Sequence, residues 1–155
     1  MINGKLSPRR VSRSLAVQGL YFFQANPRLV GEIEDFLHDL DPELYSRSNY
    51  SLLHSLLEMA TSNFTMLLSS YHPFLERTID EIEYVEKAIL VLAATELHHS
   101  PEVPAPVIIN EAIELAKLYG GEDSYKFING LVDKLAFNTR YDEMTHFKQR
   151  KISQR

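Results

Sequence analysis

The sequence predicts an all-α fold, a compact bundle of about seven helices. Three observations carry this. Apolar residues recur at helical spacing over long stretches, most clearly Leu53, Leu56, Leu57, Ala60, Phe64, Leu67, Leu68 and Tyr71. Helix start and stop signals punctuate those stretches: Ser7-Pro8, Asn26-Pro27, Asp41-Pro42 and Gly120-Gly121. No segment alternates with the period of a strand, and there is neither an internal repeat nor a Gly-rich phosphate loop. A chain of 155 residues fits one domain with a real core.

Ser7 as cap and Pro8 at the first helical position open a helix that runs to about Ala25. Val11, Leu15, Ala16, Phe22 and Phe23 fall on its buried side. Arg10, Ser14, Val17 and Tyr21 recur at i, i+4, i+7 and i+11 and form a separate stripe. A short helix is expected from Glu32 to Leu40, then a polar loop to about Asn49. Tyr50 to Ser70 reads as one helix and Pro73 as the start of a helical turn. Glu83 to His98 is the next long helix, carrying Val85, Ala88, Ile89, Leu92 and Leu97. A proline-rich connection leads to a helix from Pro106 to Tyr119, which Gly120-Gly121 ends. Asp123 or Ser124 caps the last predicted helix, which extends to about Phe137. Gly130 within it is expected to permit close helix approach. The predicted domain is therefore 1–137, and 138–155 reads as a frayed or disordered basic tail.

The net charge is −5, with 45% hydrophobic and 24% charged residues. Its distribution is uneven. Residues 1–13 carry Lys5, Arg9, Arg10 and Arg13 and no acid. Residues 138–155 carry five bases against Asp142 and Glu143. The ends are basic and the middle strongly acidic, which fits either solvated termini or two anion-binding ends. The absence of Cys excludes disulfides, thiol catalysis and Cys-based zinc sites. Arg9-Arg10 before an apolar stretch looks like a leader, but Arg13 and Gln18 interrupt that stretch and no small-residue cleavage site follows. No apolar run approaches the ~20 residues needed to span a bilayer. A cytoplasmic protein without membrane contact is expected.

Catalytic and metal chemistry find little support. His98-His99 are adjacent and point about 100° apart on a helix, a poor ligand pair. No nucleophile has an identifiable base, and Glu111 with Glu114 is an ordinary polar-face pair. The chain is expected to be no enzyme and to need no metal or organic cofactor.

Three segments resemble a known family. Val107 to Leu135 (VIINEAIELAKLYGGEDSYKFINGLVDKL) is similar, nearly residue for residue, to the signature region of the NusB family of bacterial transcription antitermination factors. Val85 to Leu97 (VEKAILVLAATEL) with Val103-Pro104 resembles the family's preceding helix. Arg9 to Arg13 with Ala16 to Tyr21 resembles its first helix. Residues 25–80 match in helical pattern only.

The resemblance implies two helical subdomains that bind the single-stranded boxA element of nascent ribosomal RNA together with the ribosomal protein NusE. The complex then helps RNA polymerase resist termination. A NusB-like recognition domain of a ribosomal RNA methyltransferase is the alternative, although the starting Met and the basic tail fit a complete protein. A structural helical dimer without nucleic acid is a third reading, and monomer and homodimer both remain open.

The candidate RNA contacts are Lys5, Arg9, Arg10, Arg13, Tyr21, Lys126 and Phe127. Arginine binds phosphate oxygens in pairs, and positive charge at a helix N-terminus opposes the macrodipole, so the Arg9, Arg10 and Arg13 cluster is costly to the helix alone. Here Val11 and Ser12 separate the arginines, which implies weak RNA affinity without NusE. An exposed Tyr21 can stack on an unpaired base; the plain alternative is a half-buried helix tyrosine. Lys126 and Phe127 follow a helix start, where anions are favoured. Phe127 shares a face with Leu131 and Leu135, so core packing is its alternative. The family often has His where Tyr125 stands. Glu86 matches a family position at the NusE interface and is expected on the outer side of its helix; the alternative is a solvated glutamate.

Overall fold

The computed structural model describes residues 6–153. The candidate contact Lys5 lies outside the described residues. The described residues form nine α-helices and no strand. They are α1 (Pro8–Ala25), α2 (Val30–Leu40), α3 (Pro42–Ser46), α4 (Tyr50–Ser62), α5 (Phe64–Ser69), α6 (Tyr84–His99), α7 (Ala105–Tyr119), α8 (Ser124–Thr139) and α9 (Tyr141–Ser153). Two short 3₁₀ turns, His72–Phe74 and Ile79–Glu81, join α5 to α6. α1 to α5 make one helical subdomain and α6 to α9 the other. The join is α1 packed on α6, and a single apolar core runs through both.

α1 begins as its sequence dictates. The Ser7 hydroxyl accepts from the Arg10 amide at 3.2 Å, and Pro8 occupies the first turn. α1 crosses α2 and α4 at Gly19, where a Cβ would sit 2.9 Å from Ile33 Cγ2 and 3.1 Å from Leu57 Cδ2. Close approach is thus served by Gly19 rather than Gly130. A Cβ at Gly130 would meet nothing within 4 Å.

α6 is the hub. Every residue from Ala88 to Leu97 is buried, so this helix is covered all round rather than on one stripe. Thr95 satisfies its hydroxyl by donating to the Val91 carbonyl at 2.7 Å. Tyr71 is fully buried against α6 and donates to the Leu90 carbonyl at 2.6 Å. Its burial raises the phenol pKa well above the ordinary value.

Three expectations change. The polar loop after Leu40 contains α3, because Asp41 accepts from the Leu44 amide at 3.1 Å and Pro42 starts the turn. The helix expected over 50–70 breaks at Asn63, whose side chain donates back to the Met59 carbonyl at 3.0 Å. Gly120 ends α7 as expected, in an extended conformation. It is needed because a Cβ there would lie 2.5 Å from Ser124 Oγ and 2.7 Å from the Ala116 carbonyl oxygen.

The third concerns the expected frayed tail, which instead forms α9. Arg140 anchors it by donating to the carbonyls of Glu96, Leu97 and Ser100 at 2.9, 3.1 and 2.8 Å, and to that of Val103. The Glu96 and Ser100 carbonyls also accept from the Ser100 and Val103 amides, so Arg140 adds a second donor there and caps the Leu97 carbonyl at the end of α6. Glu143 accepts from the Ala105 amide at the start of α7, and Met144 is fully buried. Acids in the first turn of α9 and bases in the last suit its dipole.

Candidate nucleic-acid interface

Arg9, Arg10 and Arg13 open α1 but have three different surroundings. Arg9 is exposed. Arg10 is partly exposed and pairs with Glu111 of α7 at 2.9 Å, a contact that raises its pKa further through hydrogen bonding and charge. Arg13 is 5% exposed. Its Nε donates to Glu96 Oε1 of α6 at 2.8 Å, and both side chains are buried. Burial pushes the Glu96 carboxyl pKa upward, and Arg13 partly offsets that. The expectation that Arg13 lies on the exposed side of α1 is therefore overturned. Its spacing with Ala16, Val17 and Leu20 places it on the packed face, and it ties α1 to the hub.

The expected stripe along α1 is exposed only towards its ends. Ser14 and Val17 are buried because the end of α7 lies over them, where Tyr119 hydrogen-bonds Ser14 and accepts from Gln18 at 2.8 Å. Tyr21 emerges one turn further on, 52% exposed, with its ring edge-on to Tyr84 at 6.3 Å. An open groove of about 880 Å³ runs beside it, lined by Gln18, Phe22, Phe36, Tyr84 and Tyr119.

At the start of α8, Lys126 is exposed and Tyr125 half-buried. Lys117 and Lys126 place their ammonium groups 5.3 and 6.0 Å from the Tyr125 ring. Lys117 and Tyr125 were not singled out from the sequence as contacts. The available signal was the lysine in the last turn of α7, three residues before Gly120. Phe127 is half-buried, and Arg77 covers its ring at 3.9 Å. Stacking on that face requires Arg77 to move. Arg77, from the loop after α5, was also missed, because the ring it covers is fifty residues away in sequence.

Glu86 is not on the outer side of α6. It is 8% exposed, accepts from the Glu83 amide at 3.4 Å and from Ser124 Oγ at 3.0 Å, and lies 4.0 Å from Arg77. It holds the starts of α6 and α8 together. Asp123 takes the cap position of α8 without a side-chain cap bond, so Ser124 serves Glu86 and not its own helix. His98 and His99 are exposed with ring centres 6.3 Å apart, and no group of three metal-binding side chains converges among the described residues. No helix among them is long and apolar enough to cross a membrane.

This arrangement defines a class: an all-α bundle on one buried central helix, with exposed cations and aromatic rings along α1 and at the turn from α7 to α8. The sequence model of the NusB family matches residues 10–137. The transcription antitermination protein NusB of Chromobacterium violaceum is 43% identical over 144 residues, 92% of this chain and 95% of that protein. The protein of the same name from Cupriavidus pinatubonensis is 39% identical, covering 89% of this chain and 81% of its own length. A solved structure of T. maritima NusB superposes with a TM-score of 0.71 at 25% identity, over 90% of this chain and 98% of that one. The chain belongs to the NusB family.

Proposed function

We propose that this protein is a transcription antitermination factor that binds single-stranded boxA RNA of nascent ribosomal transcripts jointly with NusE, as part of an RNA polymerase complex. In this reading it is a non-catalytic, cofactor-free cytoplasmic protein. The observation that supports it most is the set of exposed cations and rings on a NusB-family fold, with Arg9 and Tyr21 along α1 and Lys117 and Lys126 flanking Tyr125 at the turn from α7 to α8. Cations on such a surface neutralise phosphates, and exposed rings accept unpaired bases by stacking.

The roles divide by exposure. Arg9 and Lys126 contact phosphate. Arg10 does so once it exchanges its Glu111 partner for phosphate oxygens, and Lys5, four residues before Arg9 in sequence, is a further phosphate contact. Tyr21 stacks on a base, with Phe127 a second platform when Arg77 swings away. Arg13 acts from inside by fixing α1 on α6. Glu86 orients the starts of α6 and α8 towards NusE.

A titration of labelled boxA RNA, with and without NusE, tests this. The expected result is binding that tightens with NusE and weakens steeply with salt. Equal affinity for boxA and a scrambled RNA, with or without NusE, would remove the reading.

A further inference from the structure

We infer that α9 adds a second RNA-contacting surface, a groove between α7, α8 and α9 that takes the single strand beyond the segment held at the start of α8. The inference rests on the RNA-binding reading above and extends it to an element outside the family match, which ends at residue 137.

The groove is open and about 430 Å³ in volume. Ile109 and Ile113 of α7 supply apolar lining. Asn129 of α8 supplies an amide, and Phe147, Lys148 and Lys151 of α9 supply a ring and two ammonium groups. Lys151 lies 5.5 Å from the Phe147 ring. Amide, aromatic edge and cation together suit a nucleotide: the ammonium for phosphate, the ring and amide for a base.

Two further features point to a nucleic-acid strand as the occupant. The first is continuity. Lys126, Asn129, Gly130 and Asp133 occur at i, i+3, i+4 and i+7, so one face of α8 leads from the proposed phosphate contact into this groove. The distance along the helix is about 10 Å, roughly three nucleotides at about 3.4 Å each. The second is charge. Lys148 neutralises Asp133 at 3.6 Å, while Lys126, Lys134, Arg150 and Lys151 pair with no carboxylate among the described residues. This cationic track crosses a chain whose middle is strongly acidic. α9 is also held rigidly enough to form a wall, through Arg140, Glu143 and buried Met144.

The test uses fluorescence anisotropy on the full chain with NusE at saturation. Two RNAs are compared: a boxA oligonucleotide and the same oligonucleotide extended by several uridines at either end. Wild type is compared with Lys148→Ala/Lys151→Ala and, separately, with Gly130→Glu. The last places a carboxylate in the groove where a Cβ meets no atom within 4 Å, and a melting curve checks that it folds.

Two added phosphate contacts should steepen the salt dependence by about 1.4 log units. Between 50 and 200 mM salt the extended RNA should then lose about sevenfold more affinity than the short one. Both variants should abolish that difference and leave the short RNA unchanged. Absence of any gain from extension in wild type, or its persistence in both variants, overturns the inference. Weaker NusE binding by Gly130→Glu with RNA binding intact assigns the groove to protein and also overturns it. Failure of wild type to bind the short RNA removes the boxA reading and this inference together, whereas short-RNA binding without an extension effect removes only this one.

Discussion

Replacing Arg13 by Ala should unfold this protein more readily without removing any surface charge. The guanidinium is 5% exposed and donates to Glu96 at 2.8 Å inside the α1–α6 junction. Removing it leaves a carboxylate among Ile89, Leu92, Ile108 and Leu115 with its partner gone. Breaking a buried pair in this way costs about 3–5 kcal/mol. For a domain of this size that corresponds to a fall of about 6–20 °C in Tm.

The loss should depend on pH. Burial already raises the Glu96 pKa in the folded protein, and Arg13 opposes that shift. In Arg13→Ala the opposition disappears and the folded pKa climbs further. A raised carboxyl pKa means the fold prefers the protonated form. Its contribution is therefore most favourable below the unfolded pKa and is lost as pH rises through the folded one. The variant should regain part of its deficit between pH 7 and pH 5. Urea denaturation of both proteins at the two pH values measures this. Replacing both partners, Arg13→Met with Glu96→Leu, should recover most of the stability, since well-packed apolar residues often match a buried pair. The reasoning is refuted if Arg13→Ala lies within about 1 kcal/mol of wild type at pH 7.

Other expectations are simpler. Arg9→Ala should flatten the salt dependence of RNA binding by about 0.7 log units, while Tyr21→Ala should cost about 1–3 kcal/mol of binding with the slope unchanged, both read by titration at several salt concentrations. Gly120→Ala should destabilise by about 1–3 kcal/mol through its clash with Ser124 and the Ala116 carbonyl, whereas Gly130→Ala in open space should stabilise by up to about 1 kcal/mol, as thermal melts would show. Arg140→Ala should cost about 3 kcal/mol by removing its bonds to four carbonyls, two of which keep a backbone donor, and hydrogen exchange should rise in 97–105 and across α9 together. Glu86→Ala should lose about 1–2 kcal/mol by unpairing Ser124 and the Glu83 amide, and Glu86→Gln should restore much of it; a stability equal to wild type in both would return Glu86 to the role of a solvated glutamate.

Local rules carried much of this fold. Ser7-Pro8 and the spacing of apolar residues are short-range instructions, and α1, α4, α7 and α8 begin within a residue or two of where those instructions place them. Exposed Arg9, Tyr21 and Lys126 were legible for the same reason, since each depends only on which face of its own helix it occupies. Part of the Arg13 outcome was legible as well. Arg13 shares a stripe with Ala16, Val17 and Leu20, and Glu96 shares one with Ile89, Leu92 and Ala93, so a lone base and a lone acid each sat on an apolar face. That these two faces meet was not legible, because the residues are 83 apart and only the docking of α1 on α6 brings them together. The same holds for Glu86 with Ser124, Arg77 with Phe127, and Arg140 with the end of α6. A charged side chain reads as solvated until its partner is known, and the desolvation that decides its role is a property of the packed assembly. The tail shows the same division: its sequence is polar and basic, and α9 is secured chiefly by one buried methionine and by carbonyls at the end of α6 and in the loop after it, which Arg140 reaches only in the packed structure.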